Sequence, residues 1–568
     1  MKVTDYIIEF LIQEGVTDIF GYPGGVICHL IDSATKYADR IATHTNYHEQ
    51  ASAFAACGYA QETHNIGVAF ATSGPGATNM VTGIANAYYD STPVVFITGQ
   101  VDTYGLKGDM PIRQRGFQET DVVSIVQSIT KYAVRVNNPN DIRYELEKAF
   151  TVARSGNPGP VVLDLPADVQ RAEINENTLK AYVNVENTRN LERDVKSIVD
   201  QLKRAKRPCF LVGNGVKQAG MISEMRCLIR KLQIPTVFSM PAFDILPYND
   251  EYNYGFIGAN GQRYGNFILG KADLIISIGS RLDLKQVGNK REEFAQQAKI
   301  VRIDIDKDAF CHRVHNDETQ IEADIKQLLP QLLSQINENF IWDNNWQTTC
   351  VRIKNILRGY DDEDYTKVLN AFGKWLPDDC VITLDVGQSQ VWCCQQLETK
   401  ENQSVHMSAG LGTMGYSLPA AIGAYYSHKK PVFCFNGDGG IQMNIQELQF
   451  LDREQLPVHV IIINNHSLGM IRGFQEVNFE KNYSQTIEGN GYSVPNFKKI
   501  ANAYNLQYKL IQTVAEINTL KLDVQRPSVI EIVLPNKTVL NPNFGRNGLI
   551  QDQRPYLERD LFNEIMEM

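Results

Sequence analysis

No apolar stretch in this chain approaches the roughly 18 residues needed to cross a bilayer, so a membrane-spanning segment is not expected. No CxxC pair occurs among its 10 cysteines, and only Cys393 and Cys394 are adjacent. That spacing fits neither a zinc site nor a secreted disulfide scaffold. Reduced, mostly buried thiols in a cytoplasmic protein are expected instead. Positive charge is also short, with 55 Lys and Arg against 65 Asp and Glu, a net charge of -10. A phosphate backbone needs a basic face, so nucleic acid is excluded as the main partner. A signal peptide is not expected either. The opening MKVTDYIIEFLIQEG carries Asp5 and Glu9 within its apolar pattern and reads as an amphipathic helix.

What is there is ordinary globular composition, 43% hydrophobic and 21% charged. A length of 568 residues is too great for one core and predicts about three domains. Short β-rich runs alternate with helical stretches: IGVAFAT (66–72), PVVFITG (93–99), ADLIISIG (272–279), PVFCFNG (431–437) and VHVIIINN (458–465). Continuous apolar runs suit strands buried on both faces of a parallel sheet. The predicted fold is therefore α/β, with three doubly wound parallel-sheet domains. Composition shifts at 176–195 and 336–365 read as linkers. The cuts give domains at 1–175, 190–335 and 360–535, and a tail at 536–568.

The strongest chemical signal lies in the third block. The strand PVFCFN runs into Gly437-Asp438-Gly439, and about 25 residues later VHVIII ends at Asn464-Asn465. Alone, GDG is a tight turn and NN a strand end. With these strand contexts and this spacing, the pair resembles the fingerprint of thiamine diphosphate (ThDP)-dependent enzymes. The physics agrees. A diphosphate on an acidic protein needs a bridging hard cation, and Mg2+ takes oxygen ligands. The resemblance implies Asp438, the Asn465 side-chain oxygen and the Ser467 carbonyl as metal ligands. Gly437 and Gly439 let the backbone approach the phosphates, and the following NIQELQFL is expected to aim a helix N-terminus at them.

A second segment, NYHEQAS (46–52), contains Glu49. An isolated Glu there is usually a surface helix start. Here GYPGG (21–25), with Gly24, precedes it and ATSGPGATN (71–79) follows it, as in acetolactate synthase-like proteins. The resemblance gives Glu49 the hydrogen bond to N1′ of the cofactor's aminopyrimidine, which favours the tautomer that takes the C2 proton. In LGTMGYSLPAAIGA (411–424), Met414 matches the apolar residue beneath the cofactor. In DVGQSQVW (385–392), Val386, Gly387 and Gln388 match the loop over the diphosphate. Gly469 and Met470 follow the NN motif. In GFQETD (116–121), Phe117 and Gln118 match residues lining the substrate side, and Gln118 could donate to a developing oxyanion. No adjacent His-His pair occurs beside His48 or His466, which favours a carboligase over a decarboxylase releasing free aldehyde.

The chain thus resembles the acetolactate synthase large subunit along nearly its whole length. That family's reaction transfers the two-carbon unit of pyruvate to a second 2-keto acid, giving 2-acetolactate, as in branched-chain amino acid biosynthesis. The resemblance implies a homodimer or homotetramer with active sites between chains, and leaves a regulatory subunit open. Departures fall in the acceptor pocket. Phe474 stands where the family has tryptophan, and Lys285 in GSRLDLKQVG (279–288) where it has a carboxylate-gripping arginine. The tail LNPNFGRNGLIQDQRPYLERDLF (540–562) looks more like ThDP enzymes found with sugar-nucleotide biosynthesis, so a nucleotide-linked keto-sugar is the alternative acceptor. LVGNGVKQAG (211–220) and GSRLDLKQVG resemble segments that hold a non-redox FAD. They lack a clean GxGxxG, and an empty nucleotide-fold loop remains the other reading.

Overall fold

The computed structural model describes residues 1–184, 189–336, 344–543 and 549–568. Each β-rich run becomes a strand: Gly67–Ala71, Val94–Gln100, Leu274–Ile278, Val432–Gly437 and Val458–Asn464. Val94–Gln100 and Val458–Asn464 are buried at every position, so both faces of their sheets are covered by helices. Three six-stranded sheets result. Numbered along the chain within each sheet, the first has the order 2-1-3-4-6-5, the third repeats it, and the middle one has 6-5-4-1-2-3. Every strand pair is parallel, which is the expected doubly wound architecture.

The outer two domains dock through equivalent helices, Glu49–Thr63 and Ser417–His428, each following the second strand of its sheet. They cross backbone to backbone at reciprocal glycines. A Cβ on Gly58 would lie 2.1 Å from the Ala420 carbonyl oxygen, and one on Gly423 would lie 1.8 Å from that of Ala55. Nothing larger than glycine fits at either place, so the first residue of one helix, Glu49, is fixed relative to the third domain.

One sequence expectation changes. The 336–365 stretch is not simply a linker, because it carries the helix Asn344–Leu357. Trp346, Cys350, Ile353 and Leu357 fall on one face and are buried against the central domain. The Trp346 indole donates to the Pro208 carbonyl at 2.9 Å. The tail is bound to the central domain. Buried Arg263 donates to the Gln553 and Pro555 carbonyls and pairs with Asp361, and the chain ends in the helix Arg559–Glu567. Residues 185–188 of the first expected linker, 337–343 of the second and 544–548 of the tail lie outside the described residues. Among the described residues, no helix is long and apolar enough to cross a membrane.

Candidate active site

The strands Val432–Gly437 and Val458–Asn464 are parallel neighbours, with Gly437 opposite Ile463. GDG and NN therefore leave the sheet side by side, at its carboxyl edge. They open into a cavity of about 1370 Å³ whose wall includes Val386, Gly387, Gln388, Met414, Gly437, Asp438, Gly439, Asn465, Ser467, Gly469 and Met470. Eleven residues singled out in four separate sequence segments meet there.

Asp438 is buried, and its Oδ1 accepts from the Tyr492 hydroxyl at 2.7 Å. Its Oδ2 has no partner, nor has the buried Oγ of Ser467 or of Ser389. Burial pushes the Asp438 carboxyl up to about 6, against the Tyr492 hydrogen bond and the Ser467 N–H, which favour the charged form. Asn465 Nδ2 donates to Gln388 Oε1 at 3.0 Å and to Thr538 Oγ1 at 2.9 Å. Those bonds fix the amide and leave its oxygen for the cavity. Gly469 is required beside it, since a Cβ there would meet Gln388 Oε1 at 1.9 Å. Gly387 has φ +119°, a conformation side chains rarely adopt. Met414 is set by its neighbours. Buried Asp385 accepts from Gly415 N at 3.1 Å and Tyr416 N at 3.0 Å, and burial raises its carboxyl to about 7. The Met414 methyl lies 3.6 Å from where a Gly439 Cβ would be.

NIQELQFL forms a helix after GDG, entered through a 3₁₀ turn. Two short 3₁₀ turns, Ile441–Met443 and Ile445–Glu447, come first, and the α-helix covers only Leu448–Glu454. The break is at Asn444, whose side chain is spent on Gln50 and the Gly415 carbonyl instead.

The remaining expected residues lie elsewhere. Glu49 is buried at the start of its helix, where Oε2 accepts from Asn79 Nδ2 at 2.9 Å. Gly76 packs beside its other oxygen, Gly24 packs on Thr72, and Gln118 lies against Gly74 in a left-handed conformation at φ 64°. Thr72 and Ser73 add two buried hydroxyls without partners. Phe117 is 85% exposed on the same loop, which Glu119 ties down by accepting from the Lys107 and Arg115 amides. None of Gly24, Glu49, Phe117 and Gln118 is in the wall of the large cavity. They form a second group, apart from that cavity. Lys285 reaches the cavity wall, but Phe474 does not. Phe474 is 54% exposed on the helix Gly469–Asn478, edge-on to Phe479.

The cavity continues into the central domain between strands Pro208–Val212 and Leu274–Ile278, which are neighbours where the strand order reverses. Gly215 and Gly279 line it there, and a Cβ on Gly213 would sit 2.1 Å from the Gly279 carbonyl oxygen. The two segments read as nucleotide-holding are thus brought together at the switch point.

Sequence reasoning missed Tyr492, Thr538 and Asp385. Asp385 sat inside a quoted motif, and its place between a strand and a Gly turn was a usable signal. Tyr492 comes from the two-residue strand Gly491–Tyr492 and Thr538 from an irregular segment, both far along the chain, and neither carries a local signal.

Comparison with known proteins agrees with this geometry. The family models for the thiamine pyrophosphate enzyme N-terminal TPP binding domain, central domain and C-terminal TPP binding domain match residues 1–125, 195–332 and 385–532. The chain is 35% identical to the acetolactate synthase large subunit of Lactococcus lactis subsp. lactis (strain IL1403), over 93% of this chain and 92% of that one. It is 34% identical to the acetolactate synthase isozyme 2 large subunit of Escherichia coli (strain K12), over 89% and 90%. It is 34% identical to the probable acetolactate synthase large subunit of Methanocaldococcus jannaschii, over 100% and 98%, so that match includes the tail. These relatives do not favour the keto-sugar alternative. The chain belongs to the thiamine pyrophosphate enzyme family, together with the acetolactate synthase large subunits.

Proposed function

We propose that the protein is an acetolactate synthase-type carboligase. It takes the two-carbon unit of pyruvate and passes it to a second 2-keto acid, giving 2-acetolactate when that acceptor is pyruvate. The observation that carries this reading is the meeting of Asp438, Asn465, Gln388 and Met414 in one cavity, in a chain of this family. When bound, ThDP would supply a nucleophilic carbon, C2 of its thiazolium ring, and an electron sink for the pair that departing carbon dioxide leaves behind.

The chain's own residues bind and orient. The orphaned Asp438 Oδ2 and the free oxygen of Asn465 form a hard-oxygen pair suited to Mg2+, with Ser467 as the third protein ligand. Among the described residues, no group of three or more His, Cys, Asp and Glu could hold a metal. An octahedral cation held by three protein oxygens would leave positions for diphosphate or water oxygens. Gly387 and Gly437 leave open space for the phosphates, since a Cβ on either meets only Ser389 Oγ, at 3.9 and 3.7 Å. Met414, in the cavity wall, would support the ring. Glu49 holds and moves a proton at the aminopyrimidine, and Gln118 faces the oxygen that gains charge.

Glu49 and Asp438 lie in separate groups, which supports a homodimer or a pair of dimers in which each chain completes the other's site. A non-redox FAD is the occupant we assign to the central-domain end of the cavity. About 1370 Å³ exceeds the usual 300–1,000 Å³ of a single small-molecule site, and the switch-point crevice is where open α/β sheets bind nucleotides. The test uses two inactive variants, Glu49→Gln and Asp438→Ala, co-expressed in one cell. Mixed dimers regain one intact site, so about a quarter of wild-type activity is expected if sites span two chains and half the chains pair unlike. No recovery contradicts the shared site. FAD is tested by the absorption spectrum of the protein purified without added flavin.

A further inference from the structure

Glu447 is fully buried and sits in the C-terminal domain, nine residues after Asp438. Its partners are in the other outer domain. Oε1 accepts from the Tyr47 amide at 2.8 Å, and Oε2 accepts from Asn46 Nδ2 at 3.0 Å. The adjoining Asn444 donates to Gln50 Oε1 at 3.2 Å and to the Gly415 carbonyl at 2.8 Å. Arg453 donates to the Tyr47 hydroxyl at 3.2 Å and to the Thr45 carbonyl at 2.9 Å. Residues 45–50, the segment that presents Glu49, are therefore gripped by five hydrogen bonds from one stretch of the other domain.

A buried carboxylate costs free energy unless its hydrogen bonds offset the lost hydration. Here both oxygens are used, and neither touches the cavity wall. The carboxylate serves the loop alone. We propose that Glu447 is a positioning residue that sets where the Glu49 carboxylate stands, and so sets the rate at which the bound cofactor loses its C2 proton. This rests on the reading of Glu49 given above.

The geometry also separates charge from hydrogen bonding. Asn46 Oδ1 is buried without a partner. In Glu447→Gln the Asn46 amide can turn over, so that this free oxygen accepts from the new NH2 while the new carbonyl still accepts from Tyr47. In Glu447→Leu both bonds are lost.

The test measures exchange of the ThDP C2 proton into deuterated water, by acid quench and proton NMR, on the holoenzyme with ThDP and Mg2+. ThDP affinity is titrated in parallel. Glu447→Leu is expected to slow exchange roughly ten- to a hundredfold, the cost of a displacement on the order of 1 Å, with ThDP affinity unchanged. Glu447→Gln is expected to keep most of the rate. Should Glu447→Leu not fold, Asn46→Ala removes one bond of the grip and is expected to slow exchange several-fold. Wild-type exchange in Glu447→Leu or in Asn46→Ala overturns the proposal. So does Glu447→Gln exchanging as slowly as Glu447→Leu, or a loss of ThDP affinity in parallel with the rate. Glu49→Gln is the control. If it exchanges at the wild-type rate, the role of Glu49 itself is what fails.

Discussion

The Tyr492 hydroxyl donates to Oδ1 of Asp438 across 2.7 Å, while Oδ2 of the same carboxylate is buried with no partner. One oxygen is thus held by the protein and the other is kept for a ligand. Removing the phenol leaves Asp438 free to turn. Tyr492→Phe is expected to weaken Mg2+-dependent ThDP binding by about 1.5–3 kcal/mol, the worth of a hydrogen bond to a charged group. Fluorescence titration with ThDP at fixed Mg2+ measures it. Unchanged affinity would mean that Tyr492 only fills space.

The crossing of the two outer domains should tolerate no side chain at Gly423. A methyl there would lie 1.8 Å from the Ala55 carbonyl oxygen, which is main chain and cannot step aside cheaply. Gly423→Ala is expected to cost at least about 3 kcal/mol, the upper part of the overpacking range. Thermal unfolding of the purified variant gives the shift.

Stability should fall as pH rises toward neutrality, and Glu447 should supply part of that slope. Burial raises its carboxyl from 4.5 to about 7, against the lowering effects of Asn46, Tyr47 and Arg453. Between those values the folded state binds a proton that the unfolded state does not. The stabilisation is fully present below the unfolded value and lost as pH passes through the folded one. It is on the order of 3 kcal/mol by the usual conversion of a pKa shift. Glu447→Gln removes the titrating group, so its stability relative to wild type should rise between about pH 5 and pH 8. Denaturant unfolding across that range checks the sign.

Acceptor choice should differ from that of an enzyme with the family's Trp and Arg. Lys285 lines the cavity, while Phe474 stands half exposed outside its wall, on the helix Gly469–Asn478 whose first residues line it. A point charge grips a carboxylate less strictly than a guanidinium, and a smaller aromatic leaves room. Preference for 2-ketobutyrate over pyruvate is therefore expected to be weak. Phe474→Trp combined with Lys285→Arg should raise it by roughly 10- to 200-fold. Competition between the two acids, read as the ratio of acetohydroxy acids, measures this. Strong native preference, unmoved by the double change, contradicts it.

The parts legible in the sequence were those fixed by local chemistry. Strands buried on both faces announce themselves as apolar runs, and GDG, NN and Met414 sit in long motifs beside such strands. The helix Asn344–Leu357 was missed because its polar residues dominate the composition, although Trp346, Cys350, Ile353 and Leu357 keep helical spacing. Tyr492, Thr538 and Glu447 were illegible for another reason. Each acts on a residue distant along the chain, Asp438, Asn465 or Asn46, and only the fold brings the partners together.

The most direct test of the central claim is the balance of products from pyruvate alone, with ThDP, Mg2+ and FAD present. Carbon dioxide and all carbon products are counted by 13C NMR. A carboligase consumes two pyruvates for each carbon dioxide released and yields one 2-acetolactate, and Glu49→Gln should abolish most of that turnover. Release of one free acetaldehyde for each pyruvate consumed, or undiminished turnover in Glu49→Gln, would contradict it.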